Sequence, residues 1–191
     1  MLFQISSLIG KPILCLETNA LVGTILDVVI DPDTGRVIAF KVSISLITKP
    51  KIISCQDIVE IRNDCLIIAK ESAVVEPKEI LKINDILAKN LKVLGNWVKT
   101  KQGSWLGKVE DLLIESETLA LIKIYVQGNA LNLGFKPFLG TIKENQIISA
   151  DNIVKVTAAA VIVKNEVVPK KKTAAKEKTE SKVKATVPEP A

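Results

Sequence analysis

Histidine is absent from this chain, and methionine and tyrosine occur once each. Without imidazole the commonest general base near neutral pH and the commonest zinc ligand are missing, so His-dependent triads and zinc sites are excluded. The three cysteines, Cys15, Cys55 and Cys65, form no C-x-x-C spacing and sit in apolar or strand-like contexts, which reads as reduced core thiols rather than a disulfide framework. No P-loop and no G-x-G-x-x-G occurs, no apolar run approaches the roughly 20 residues of a membrane-spanning helix, and the N-terminus MLFQISSLIGKPILCLE lacks the pattern of a signal peptide. The expectation is a cytoplasmic protein that is not an enzyme and needs no cofactor or metal.

What is present is aliphatic: 48% of residues are apolar while aromatics make up only 4%, which suits a globular chain built mainly of strands. The formal charge of +5 is unevenly spread, since residues 164–191 hold eight lysines against four glutamates and leave the remainder close to neutral. Attraction to an anionic partner would therefore come mainly from the tail, unless local patches on the body are hidden by the sum.

The most informative stretch occurs twice. Residues 23–37 read GTILDVVIDPDTGRV, and 84 positions later residues 107–121 read GKVEDLLIESETLAL. Gly23 and Gly107, Asp27 and Asp111, Ile30 and Ile114, and Thr34 and Thr118 are identical. A further pair, ISCQDIV at 53–59 and ISADNIV at 148–154, follows at an offset of 95, so the second copy holds about eleven extra residues between Tyr125 and Ile147. That interval contains GNALNLGFKPFLG, an apolar loop punctuated by glycine.

Within each copy the pattern predicts a hairpin, a strand opened by glycine, an acidic turn and a returning strand. In DPDTG, Pro32 presets φ, Asp31 and Asp33 can accept from nearby amides, and Gly35 is free to take positive φ. Calcium binding by this turn would want more oxygen ligands than it offers, so a bare turn is the better reading. The second copy has Leu119 where Gly35 stands, so its turn is expected to take another form. Between the copies, PKEILKINDILAKN has apolar residues near helical spacing and predicts a short amphipathic helix over 78–89.

The resulting organisation is mainly β: two tandem small antiparallel β-barrels, residues 1–75 and 91–163, joined by a helical linker over 76–90. Residues 164–191 follow as a disordered tail rich in Lys, Ala and Pro, unable to bury enough apolar area to offset ordering.

The G-x-I/V-x-D strand, the acidic turn, the β-rich return and ISxxDI/NIV before a closing strand resemble the PRC-barrel family. That domain is found in the cytoplasmic part of the reaction-centre H subunit and in the ribosome maturation factor RimM. The resemblance spans residues 8–163 as two copies and implies small β-barrels used as adaptor or assembly modules, with no shared catalytic set to carry over.

Candidate sites follow from where the copies agree and where they differ. Gly23, Asp27, Gly35, Gly107 and Asp111 read as structural motif residues. Ile25, Asp27 and Val29 are expected to share one strand face, as are Val109, Asp111 and Leu113, with each acid bracing a loop or, alternatively, holding a ligand. Trp97 and Trp105 flank the second hairpin, where the first has Ile13 and Leu21, and read as barrel packing or as a partner-binding surface. Phe135 and Phe138 in the inserted loop are candidates for the same role. Lys170, Lys171, Lys172, Lys176 and Lys178 are candidate contacts to phosphate, either as attachment to RNA, ribosomal particles or DNA or as a solvated tail. The leading expectation is a non-enzymatic adaptor that docks a protein partner, with self-association a further option and a small molecule in a barrel cavity the weakest.

Overall fold

The computed structural model describes residues 1–45, 47–128 and 145–165. The chain is mainly β. It opens with strand β1 (Leu2–Gln4) and the one-turn helix α1 (Ile5–Leu8). Strands β2 (Pro12–Cys15), β3 (Ala20–Asp31), β4 (Arg36–Ser43), β5 (Lys51–Ser54), β6 (Ile58–Ile61), β7 (Leu66–Ile68) and β8 (Val74–Val75) form one sheet, in the order β6-β7-β2-β3-β4-β5-β8. After helix α2 (Leu81–Ala88), strands β9 (Trp97–Thr100), β10 (Trp105–Glu115), β11 (Leu121–Gly128), β12 (Asn145–Ser149), β13 (Ile153–Val156) and β14 (Ala160–Val163) form the second, in the order β12-β11-β10-β9-β14-β13.

The two sheets share one connectivity. β2 runs parallel to β7 as β9 does to β14, and the other pairs named in these two orders are antiparallel. Even the irregularities repeat: the β3–β4 register slips between Ile25 and Asp27, and the β10–β11 register slips between Val109 and Asp111. These slips alter the expected face. Ile25 belongs to the main core whereas Val29 lies in the cluster beneath α2, so the extra residue Leu26 breaks the alternation that would have put them together.

The repeated glycines have a steric cause. A Cβ on Gly23 would run into the carbonyl oxygen of Ser43, and one on Gly107 into that of Gln127, the same place in the second sheet. Only a residue without a side chain lets the neighbouring strand approach this closely.

The acidic turns also match, contrary to the expectation for Leu119. Gly35 has φ of 65° and Leu119 has φ of 55°, so the leucine keeps the left-handed conformation at a cost of about 1 kcal/mol. Its side chain packs against the main core, which offsets that strain. The reason for holding the conformation lies across the molecule. Val37 N–H donates to Leu119 O at 2.8 Å, and Leu121 N–H donates to Gly35 O at 2.9 Å. Each turn thus hydrogen-bonds to its own counterpart, and Arg36 bridges Ala120 between them.

The sheets also exchange their leading segments. β1 pairs with β10, Phe3 opposite Ile114, so Leu2–Gln4 hydrogen-bonds into the second sheet although the first unit was drawn from residue 1. One continuous cluster of buried side chains runs through both sheets, with Phe3, Ile5, Leu8 and Phe40 joined to Val98, Leu112, Ile124 and Val161. Two units of this size gain from such sharing, because a small core alone is marginal.

The linker helix is shorter than its periodicity implies. Pro77–Glu79 forms a 3-10 turn closed by Glu76 N–H donating to the Glu79 carboxylate at 2.8 Å, Ile80 is extended, and the α-helix starts at Leu81. It buries Ile83 and Ile86 against Val29, Ala39 and Ile52, while Leu81 is 80% exposed.

Replacing Gly23 by alanine should lower stability by about 2 kcal/mol or more through this backbone overlap. An unchanged urea midpoint for Gly23→Ala would show that β4 can shift freely and that the shared glycine is not a packing requirement.

Candidate functional site

The outer face of the β9–β10 hairpin differs in residue type from its counterpart in the first sheet. Its geometry starts at Asn96, which is buried: its side-chain amide donates to the carbonyls of Lys92 at 2.9 Å and Thr157 at 3.0 Å, and its side-chain oxygen accepts from Trp97 N–H at 2.9 Å. This fixes where β9 begins. At the other end Gly103 takes positive φ, and Ser104 N–H donates to the Thr100 hydroxyl at 3.2 Å, closing the turn into β10. Val98, Leu106 and Val109 are buried in the core and Trp97, Trp105 and Lys108 lie outward, the irregularity between Trp105 and Gly107 shifting the alternation along β10.

Register brings these groups together. Trp105 lies opposite Lys99, and Trp97 opposite Lys108. The indole rings meet edge to face, with centroids 6.0 Å apart and planes at 75°. Lys99 Nζ stands 5.4 Å from the Trp105 ring centre and Lys108 Nζ 4.8 Å from that of Trp97. Each such contact contributes about 0.5–1 kcal/mol at an exposed site. The tryptophans nonetheless remain 37% and 43% exposed. Beyond β9, Ile162 on β14 lies beside Lys99, and Lys155 on β13 lies beside Ile162.

The same registers in the first sheet hold different chemistry. Pro12 and Thr24 are paired where Trp97 and Lys108 are, Leu14 and Leu21 where Lys99 and Trp105 are, and Glu60 faces Ile67 where Lys155 faces Ile162. The true counterpart of Trp97 is therefore Pro12, not Ile13, which matches Val98. The fold tolerates an uncharged, non-aromatic hairpin face in one copy.

The repeated acids serve the scaffold. Asp111 is buried against the leading segment: it accepts from Ser6 N–H at 2.9 Å, from the Ser6 hydroxyl at 2.5 Å and from Leu112 N–H at 2.8 Å. Asp27 accepts from Val28 N–H at 2.8 Å. Burial pushes its carboxyl above the ordinary aspartate range, and the Val28 amide with Lys41 and Lys92 offsets this only in part. Sequence reasoning passed over Ser6 because its partner lies 105 residues away.

In the first turn, Asp31 is almost fully buried and accepts from Lys82 Nζ at 2.6 Å, from the Thr34 hydroxyl at 2.8 Å and from Asp33 N–H at 3.1 Å. Burial opposes its ionisation, yet the Lys82 ammonium, the Thr34 hydroxyl and the Asp33 amide outweigh it and hold the carboxyl below the ordinary range. An open groove of about 720 Å³ lies here, lined among others by Arg36, Cys55, Lys82 and Leu119. Burial pushes the Cys55 thiol up to about 12, which keeps it protonated and unreactive near neutral pH. Among the described residues no three His, Cys, Asp or Glu side chains converge as a metal site would need, and no helix is long and apolar enough to cross a membrane.

Phe135 and Phe138, and the tail lysines Lys170, Lys171, Lys172, Lys176 and Lys178, lie outside the described residues.

The two perturbed aspartates give opposite pH dependences. Asp31 loses its proton more readily when folded, so its stabilisation is complete above the unfolded aspartate pKa and disappears as pH falls through its depressed folded value. Asp27 holds its proton more tightly when folded, so its contribution is complete below the unfolded value and is lost as pH rises through its raised one. Urea midpoints measured between about pH 2 and 7 should show Asp31→Asn destabilising at neutral pH with a flatter acid limb. Asp27→Asn should raise the neutral midpoint slightly. Identical profiles for the two variants would contradict this assignment.

No curated protein matches the chain. A family model described as PRC-barrel domain matches residues 1–73, which hold β1 through β7 and so most of the first sheet, and this match supports a PRC-barrel protein.

Proposed function

We propose that the protein is a non-enzymatic docking adaptor of two tandem PRC-barrel-like units, in which the second unit's hairpin face receives a protein partner. The observation that carries this reading is the contrast between equivalent registers. One copy has Pro12, Leu14, Leu21, Thr24 and Glu60, and the other has Trp97, Lys99, Trp105, Lys108 and Lys155. Folding accounts for what the two share, and the difference is concentrated in residue types that anchor partners: exposed tryptophan ringed by charge.

Cross-linking of the full chain in its native lysate, followed by mass spectrometry, tests this. Links should map to β9 and β10, and Trp97→Ala with Trp105→Ala should remove them while the circular dichroism keeps its β signature and unfolding stays cooperative, with stability falling only by what the ring contacts contribute, about 1.5–3 kcal/mol in all. Links confined to residues 164–191 would overturn the reading and favour RNA, ribosomal particles or DNA held by the basic tail, a result that would also weaken steeply with salt.

A further inference from the structure

Resting on the adaptor reading, the geometry points to the chemistry of the partner: we infer that the β9–β10 face binds an extended acidic segment with interspersed apolar side chains. Lys99 and Lys108 stand over the tryptophan pair and Lys155 lies two strands beyond Lys99 in the same register row, whereas Glu110 is the acid exposed on this part of β10. The first sheet has Glu60 in place of Lys155, and that glutamate is already paired with Arg62 at 2.7 Å. Positive charge is thus particular to this copy of the hairpin face. It calls for a negatively charged occupant.

Two features separate an acidic peptide from a nucleic acid strand. Base stacking needs an open ring face lying parallel to the incoming base. Here each indole already has an ammonium over it, at 5.4 and 4.8 Å, and the two rings stand at 75° to each other. On these two ring faces a stacked base would have to displace a lysine. A carboxylate does not, because it meets the ammonium on its outer side while apolar side chains of the same segment lie along the indole edges.

Position in the sheet sets how such a segment is held. β9 lies between β10 and β14, and β10 between β9 and β11, so neither strand offers a free backbone edge to extend the sheet. Recognition must run through side chains. Lys99 and Lys108 sit on neighbouring strands and on successive outward rows, a backbone separation of about 8 Å from strand spacing and rise. That matches carboxylates at alternate positions of an extended chain, which are about 7 Å apart on one side. Lysines resting on rings have fewer conformations to lose on binding than freely waving ones, which favours even a small contact.

The chain's two tryptophans are both in this site, so intrinsic tryptophan fluorescence reports on it alone. The test titrates the full-length protein with three probes: a capped peptide alternating Glu and Leu, the same peptide with Gln for Glu, and oligouridylate of equal charge to the first. The acidic peptide should give a saturable spectral change that weakens with added salt, with affinity about tenfold above that of the Gln peptide and of the oligonucleotide. Lys99→Gln with Lys108→Gln should reduce it about tenfold. Lys155→Glu, which leaves the tryptophan pair and its two lysines untouched, should reduce it about threefold and guards against loss of fold in the double variant. Equal binding of the acidic and Gln peptides, or insensitivity to both sets of variants, overturns the inference. Tighter binding of the oligouridylate overturns it in favour of a nucleic acid partner. Failure with all three probes also overturns the inference, while the docking reading then stands or falls separately by whether lysate cross-links still map to Trp97 and Trp105.

Discussion

The two acidic turns bond to each other, and the rest of the architecture depends on that contact. Val37 reaches Leu119 and Leu121 reaches Gly35, which is one interaction written twice between equivalent positions of the two turns. Such an isologous contact needs the same surface on both sides, so each copy of the turn must present one carbonyl and one amide in the same orientation. This explains why the chain repeats the turn more faithfully in shape than in sequence. Leu119 accepts a backbone conformation natural to glycine because releasing it would swing away the carbonyl that Val37 needs. The hydrogen bonds themselves contribute only about 1 kcal/mol each. Their importance is geometric, since they bring the two sheets into the register at which one apolar core fills both.

Around that contact the leading segments need not be alike, and they are not. The N-terminal strand and α1 pack on the second sheet, where Asp111 takes two hydrogen bonds from Ser6. At the counterpart in the first sheet Asp27 keeps its local amide contact and a raised pKa. The helix that precedes the second unit instead covers Val29, Ala39 and Ile52, and its Lys82 neutralises the buried Asp31. Repeated acids therefore do unequal jobs: one ties down a chain segment, one is tied down by a helix. None of this requires a ligand, and Thr34 and Thr118 show the shared part plainly, each donating to the acid three residues before it.

The scaffold was legible because its signals are local. Gly23, the DPDTG turn, the strand alternation and the helical stripe before Asn90 each follow from a few neighbouring residues. What escaped depends on distance or on a count of one. A single extra residue at Leu26 or Glu110 shifts a strand face, and periodicity cannot register a bulge without knowing the partner strand. Residues Leu2–Gln4 carry no mark of the sheet they join. The Ser6–Asp111 and Lys82–Asp31 contacts span 105 and 51 residues. Leu119 misled because the residue type argued for one turn while the tertiary contact required another. The tryptophans were visible from the start, but the lysines over them emerge only once Trp105 is set opposite Lys99 and Trp97 opposite Lys108.

An internal repeat offers a comparison that a single domain does not. Inward positions of the two hairpins remain apolar, with Ile13 and Val98 both fully buried at matched registers, because the core penalises any other choice. Outward positions face water in both, so folding leaves them nearly free, and cross-strand pairs there change stability by only about 0.2–1 kcal/mol. If stability alone chose them, leucine and threonine would serve the second copy as they serve the first. Instead the second copy places its two tryptophans in contact, sets a lysine over each and reverses the charge at the Glu60 position. What sets the second copy apart is ring chemistry and charge, since Leu21 at the register of Trp105 is itself an exposed apolar side chain. On the docking reading proposed above, this divergence marks the face a partner touches, and the symmetry of the scaffold is what makes it readable.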